Sequence, residues 1–508
     1  MNAKPMNVIT DTRPEGLLRR IYGRFKGPVE ENLFGESLKA KVFRGGAWLG
    51  TGSFSEQVVR FGRNMILTRL LAPEAFGTMA IVLSASSVVQ TIMDVGVKEA
   101  LIQNPRGNEE EYVGAAWWMA FGRAAMFWAV LSVVAPWIAR FYGNHLLSPL
   151  LRVCAIGVLL DGAISSRAYV AIKNMKFRKW AIINHGGAIA GVFVTLALSF
   201  LLRNVWALVI GYCAESVGRF TLSYVVCPYL PPRRLPLVAI RDLLKFSKRA
   251  FGLSLLNLIF ARTDIFVLAK MFSPAALGLY TMAIFLVQTP ASFAMNLLGQ
   301  TLLPTFSRIQ EDKARTNRVL IQVTSALAIV GMPALVFVAF CGRSLLGLLY
   351  GPRYTAAVGP LIAASFVALL NAMNGQVTIV YYAKGMPQLH RRCVLITAAT
   401  MIVLTYPFVL KFGLVGGQLA ALVAISAGFL FQVVRLRDLT TLDPMRYVKV
   451  FAVFGAISAV IAGVCLSVRT VAAVSQPVPN ILVGAGACTI AGGLGLFAFF
   501  RNVAGEIW

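Results

Sequence analysis

The chain has 508 residues, of which 57% are hydrophobic and only 14% charged. That apolar fraction excludes a soluble domain and marks an integral membrane protein, in which long apolar runs must be helices because the bilayer holds no water to satisfy irregular backbone. The formal charge of +27 suggests a polyanion partner, but the Lys and Arg gather in alternate short loops, as cytoplasmic loops of membrane proteins do. No nucleic-acid partner is therefore expected.

Residues 1–44 form a basic cytoplasmic tail. Its stretch PEGLLRRIYGRFKGPVE alternates Leu17, Leu18, Ile21, Tyr22 and Phe25 with basic residues, the pattern of a helix lying on the membrane surface. No continuous apolar core suited to a signal peptide precedes residue 40. Apolar segments follow at 45–71, 75–101, 113–139, 147–172, 180–202, 204–228, 246–271, 275–303, 319–342, 356–383, 392–410, 412–434, 447–468 and 480–500, which predicts about 14 transmembrane helices.

The first of these helices carries Glu56, Arg60 and Arg63. A charge at the centre of a spanning helix costs roughly 2.5–3.5 kcal/mol on insertion scales, so these three need protein or water around them. Their i, i+4, i+7 spacing puts them on one helix face. Farther along, the loops near Lys173 to Lys179, Arg233 to Arg249, Arg308 to Arg318, Lys384 to Arg392 and Arg435 to Lys449 are basic, whereas the intervening ones hold one or two cations. This alternation predicts an even helix count with both termini cytoplasmic. The loop with Arg106 and Glu109 to Glu111 departs from it by carrying mixed charge.

Two matches separated by about 200 residues indicate a duplication. RLLAPEAFG, from Arg69 to Gly77, recurs as KMFSPAALG, from Lys270 to Gly278; the segment from Tyr142 recurs from Tyr350, with Pro149, Lys173 and Met175 matching Pro360, Lys384 and Met386. The expected organisation is an N-terminal six-helix bundle at 45–228, a cytoplasmic linker at 229–245, a C-terminal six-helix bundle at 246–434 in the same orientation, and two further helices at 447–500. Substrate in such parallel repeats lies near the midplane between the halves.

The seven cysteines and three histidines are isolated and make no metal-ligand spacing. There is no P-loop, DxD pair or serine-centred elbow, and no enzymatic activity is expected.

LTRLLAPEAFGTMAIV, DVGVKEALIQ, RTDIFVLAKMFSPAALGLYTMA and LLPTFSRIQEDKAR together resemble the polysaccharide-transporter branch, the Wzx-type flippases, of the multidrug, oligosaccharidyl-lipid and polysaccharide exporter superfamily. The resemblance covers about residues 40–500 and departs at Lys270-Met271-Phe272, where relatives commonly have a glycine-containing turn. It implies two six-helix bundles around a central cavity with two additional helices, and an undecaprenyl-diphosphate-linked oligosaccharide moved across the bacterial inner membrane. The implied partners are that glycolipid, the bilayer, and a polysaccharide polymerase and co-polymerase. No cofactor is implied; a proton or sodium gradient would supply the direction.

On that reading Arg60 and Arg63 hold the diphosphate, since the guanidinium fork suits phosphate oxygens. Arg123, Arg219 and Arg262 are the other buried basic candidates, with snorkelling or packing as alternatives for each. Glu56 would keep the empty site near neutrality. An ion-pair network between the first two helices, with Asp94 as partner, is the structural alternative for the helix-1 charges. Asp264, which the repeat places opposite Arg63, is the candidate gate, with a permanent pair to Arg262 or Lys270 as its alternative. Asp161 and Glu215 fit either role; Asn64, Gln90 and Asn257 could meet sugar hydroxyls or bridge helices. Two other functions remain open, an ion-coupled drug or cation antiporter of the same superfamily and a polysaccharide polymerase or ligase. The basic helix faces disfavour the first, and the lack of a large loop disfavours the second.

Overall fold

The computed structural model describes residues 38–94, 96–247, 251–440 and a few isolated positions after 454. The basic tail before residue 38 and, apart from those positions, the expected helices at 447–468 and 480–500 lie outside the described residues. The described chain is helical: α1 Leu38–Leu70, α2 Pro73–Met93, α3 Val97–Gln103, α4 Glu110–Tyr142, α5 Leu147–Gly162, α6 Arg167–Lys173, α7 Phe177–Leu202 and α8 Val205–Val226. After these come α9 Leu237–Ser247, α10 Phe251–Met271, α11 Pro274–Arg308, α12 Lys313–Leu349, a 3₁₀ turn at Pro352–Ala357, α13 Val358–Ala383, α14 Pro387–Phe412 and α15 Leu414–Thr440. Eight spans among them are long and apolar enough to cross a membrane, and α5 with α6 would make a ninth. The protein is an integral membrane protein. Helices α1, α8 and α10 fall outside those eight, and each carries charged residues in its middle turns.

The ends follow local chemistry. Proline, whose missing N–H costs nothing in a first turn, opens α2 and α11. Asn204 and Asp312 cap α8 and α12 by accepting from Trp206 N and Arg315 N at 3.0 and 2.9 Å. Gly143, at φ 65°, takes the left-handed conformation that closes α4.

Two expected segments are broken. The one at 75–101 ends as α2 at Met93, where Asp94 caps and Gly96 turns left-handed at φ 58° before α3. The one at 147–172 bends by 58° between α5 and α6. Small residues permit this bend: Ser165 donates its backbone N–H to Ser223 Oγ at 3.0 Å and its hydroxyl to Cys227 O at 2.7 Å, bonds that a continuous helix would not leave free. Within the mixed-charge loop Arg106 pairs with Glu109 at 2.7 Å, and Arg167, at the start of α6, pairs with Glu110 at 2.5 Å.

Helix α7 packs along α1 and α8, and α5 against α4 and α8; on the C-terminal side α14 lies on α15 and α10, and α13 on α11, α12 and α15. The two sets meet where α2 runs along α10 and α11. Gly77 and Gly278 mark the tightest point: an added Cβ at either would lie 1.8 Å from the carbonyl oxygen of Pro274 or Pro73 respectively, so the starts of α2 and α11 touch backbone to backbone. Five cysteines are among the described residues, four of them buried.

Candidate functional site

A cavity of about 860 Å³ lies between the two sets of helices. Arg60, Arg63 and Asn64 of α1 and Glu215 of α8 line it from one side; Asn257, Arg262 and Asp264 of α10, with Gln288 and Asn296 of α11, line it from the other. Phe76, Met79, Phe260 and Met401 supply apolar wall. A cavity of this size with a few convergent polar groups is the usual form of a ligand site.

The charges on the α1 side form a chain of ion pairs. Arg60 holds Glu56 at 2.7 Å, one turn back, and Glu215 at 2.6 Å across the helix interface. Glu215 also takes Arg219 at 3.1 Å, and Arg219 reaches Asp161 of α5 at 3.0 and 2.8 Å in a two-pronged contact. At the far end His185 of α7 meets Glu56 at 2.6 Å. Glycines make room for this: Gly191 of α7 sits so close to α8 that a Cβ would lie 2.6 Å from Glu215 Cβ. The network bridges α1, α5, α7 and α8, and each buried carboxylate has a guanidinium, as burial demands.

Counting Arg60 and Arg219 against Glu56, Glu215 and Asp161 leaves two cations for three carboxylates. Arg63 restores the balance without joining the chain: among the described residues it forms no ion pair, and its guanidinium bonds Asn64 Oδ1 at 3.2 and 3.1 Å. It faces the cavity as a cation whose charge is compensated only at a distance.

The remaining expected residues separate. Arg262 lines the cavity. Arg219 stands behind the wall, held by Asp161 and Glu215. Arg123 is outside the lining and pairs with Asp94 at 3.1 Å, so Asp94, the cap of α2, is not the partner of the helix-1 charges; Glu215 is. Asp264 lines the cavity but makes neither the expected pair with Arg63 nor one with Arg262 or Lys270. Its carboxylate accepts from Tyr280 Oη at 2.5 Å, Gln418 Nε2 at 3.2 Å and Ile265 N at 2.8 Å. Asn64 and Asn257 reach the cavity wall, and Gln90 does not. His185, read from the sequence as isolated, is a network member; no spacing signals it, because its partner is 129 residues away. The described residues contain no cluster that could hold a metal ion.

Similar proteins share this arrangement of helices. The structure resembles that of the lipid II flippase MurJ in its inward closed conformation, with a TM-score of 0.71 at 13% identity, covering 89% of this chain and 99% of that one. An inward-facing multidrug resistance MATE family transporter gives 0.54 at 13% identity, covering 77% of this chain and 99% of its own. In sequence the chain is similar to the lipopolysaccharide biosynthesis protein WzxC of Escherichia coli (strain K12), 21% identical over 397 residues that cover 78% of this chain and 79% of WzxC. The succinoglycan biosynthesis transport protein ExoT of Rhizobium meliloti (strain 1021) is 24% identical over 340 residues, 66% of this chain and 67% of ExoT. Residues 66–359, more than half of the sequence, match the family described as polysaccharide biosynthesis protein. The chain belongs to that family, in the polysaccharide-transporter branch of the exporter superfamily that its motifs resembled.

Proposed function

We propose that the chain is a flippase that carries undecaprenyl-diphosphate-linked oligosaccharide repeat units from the inner to the outer leaflet of the bacterial inner membrane, for assembly of a surface polysaccharide. The observation that carries this reading is Arg63: a cavity-facing guanidinium without an ion-pair partner among the described residues, beside a network in which each carboxylate already contacts another guanidinium. A diphosphate entering the cavity supplies the oxygens that Arg63 lacks, and the planar fork takes two at once. Arg262, on the opposite wall, offers a second cation to the same anion. Amides such as Asn64, Asn257 and Asn296 suit sugar hydroxyls.

Residues 45–228 and 246–434 act as the two moving halves, with both termini cytoplasmic and a polymerase and co-polymerase receiving the product. The chain makes and breaks no bond. Asp264, held by neutral partners, is the carboxylate whose proton or sodium occupancy couples transport to a gradient. WzxC is named for lipopolysaccharide biosynthesis, ExoT for succinoglycan biosynthesis transport and MurJ for flipping lipid II, and these likenesses support a transport role in glycan biosynthesis. In a strain with no second flippase, deletion of the gene should abolish one surface polysaccharide and leave its lipid-linked repeat unit facing the cytoplasm. Unchanged polysaccharide output refutes the proposal.

A further inference from the structure

The repeated motif that begins at Arg69 and at Lys270 has a role that substrate binding does not explain. Each of these cations is the penultimate residue of its helix, α1 or α10, and each stands four residues before the proline that opens the next one. Both reach across to the other half. Arg69 Nη2 donates to Leu348 O of α12 at 2.8 Å, and Lys270 Nζ donates to Phe141 O of α4 at 2.5 Å while lying 4.5 Å from the Phe141 ring centre.

The receiving carbonyls are chosen by the helix ends. The last carbonyls of a helix have no partner within it. At α4 the N–H groups of Gly143 and Asn144 satisfy Ala139 and Arg140; at α12 those of Tyr350 and Gly351 satisfy Leu346 and Gly347. Phe141 O and Leu348 O are passed over by these bonds, and the negative end of each helix favours a cation there. Two equivalent bonds thus cross the interface in opposite directions, at the same end of the molecule where Gly77 meets Gly278. This end is remote from the basic loops at 173–179, 308–318 and 384–392.

We propose that Arg69 and Lys270 form a reciprocal latch that holds the halves together at the outer end of the cavity and must release on both sides before the cavity opens outward. Both cations lie at exposed positions, so each bond is weak enough to break in a working cycle, and acting together the two set the balance between closed and open forms. The latch acts on the halves and not on cargo. Its test needs no substrate and is independent of the flippase reading.

The test uses a version with the native cysteines replaced and Ala80→Cys in the cavity wall, labelled in spheroplasts with a membrane-impermeant maleimide. Combining Arg69→Ala with Lys270→Ala should raise the labelling rate on the order of tenfold, with each single change giving a smaller rise. The exchanges Arg69→Lys and Lys270→Arg keep both donors and should label at the parent rate. If the alanine pair does not insert, Arg69→Met with Lys270→Met, which keeps side-chain length but no donor or charge, replaces it, with the same rise expected. A discharged pair that labels at the parent rate overturns the latch; so does a charge-keeping pair that labels as fast as the alanines.

Discussion

Arg60 and Arg63 are neighbours on one helix face in different chemical situations, and substitution should tell them apart. Arg60 bridges Glu56 and Glu215, the latter only 7% exposed. Arg60→Ala takes one guanidinium from both and should cost on the order of 3 kcal/mol, seen as a lowered melting temperature in detergent. Arg63 satisfies no carboxylate directly, so Arg63→Ala should leave membrane insertion and melting temperature near wild type while polysaccharide export is lost. Arg63→Lys should restore only part of the export, because a point charge replaces the fork. Export retained in Arg63→Ala would remove this residue from diphosphate binding. Asp264→Asn keeps the size of a group already bonded to Tyr280 and Gln418, so a folded protein is expected, with transport lost or indifferent to the gradient; normal gradient-dependent transport would exclude Asp264 from coupling. At this scale the sequence displayed the charged face of α1 through its spacing. The partners Glu215, Asp161 and His185 come from helices distant along the chain, and pairing between elements leaves no local pattern.

Among the elements, α2 and α11 make the most exacting contact. Gly77→Ala would press a methyl group onto Pro274 O, and a backbone atom cannot move aside as a side-chain tip can. An overpacking cost of about 1–3 kcal/mol is expected, as a lower melting temperature and reduced membrane yield. Gly143→Ala meets no nearby atom and should cost only the strain of its left-handed φ of 65°. Hydropathy placed the eight described spans that are long and apolar enough to cross a membrane, because such a segment must be apolar whatever its neighbours. It did not locate the breaks at Asp94 to Gly96 and at Ala163 to Ser166. These depend on small polar residues such as Ser165, whose bonds to Ser223 and Cys227 exist only after α8 has packed.

For the whole molecule, the alternation of basic loops sets a sidedness that labelling can check. Leu410→Cys, 59% exposed near the end of α14, should react with an impermeant reagent from outside, and His390→Cys near its start only from inside; the opposite result would invert the topology. The repeated motif was legible because Pro73 and Gly77 recur as Pro274 and Gly278. That the two copies of this motif touch each other was not legible, since a repeat fixes likeness and not contact. The Gly77 to Gly278 contact has a consequence for how such a gene can change. Two copies of a motif ordinarily drift apart, each under its own selection. Here neither can acquire a side chain, because the other supplies only main chain to yield to it, so the pair is locked as a unit. A chimera that joins the first half of this protein to the second half of a relative should assemble only when the incoming half brings a glycine to the same meeting point.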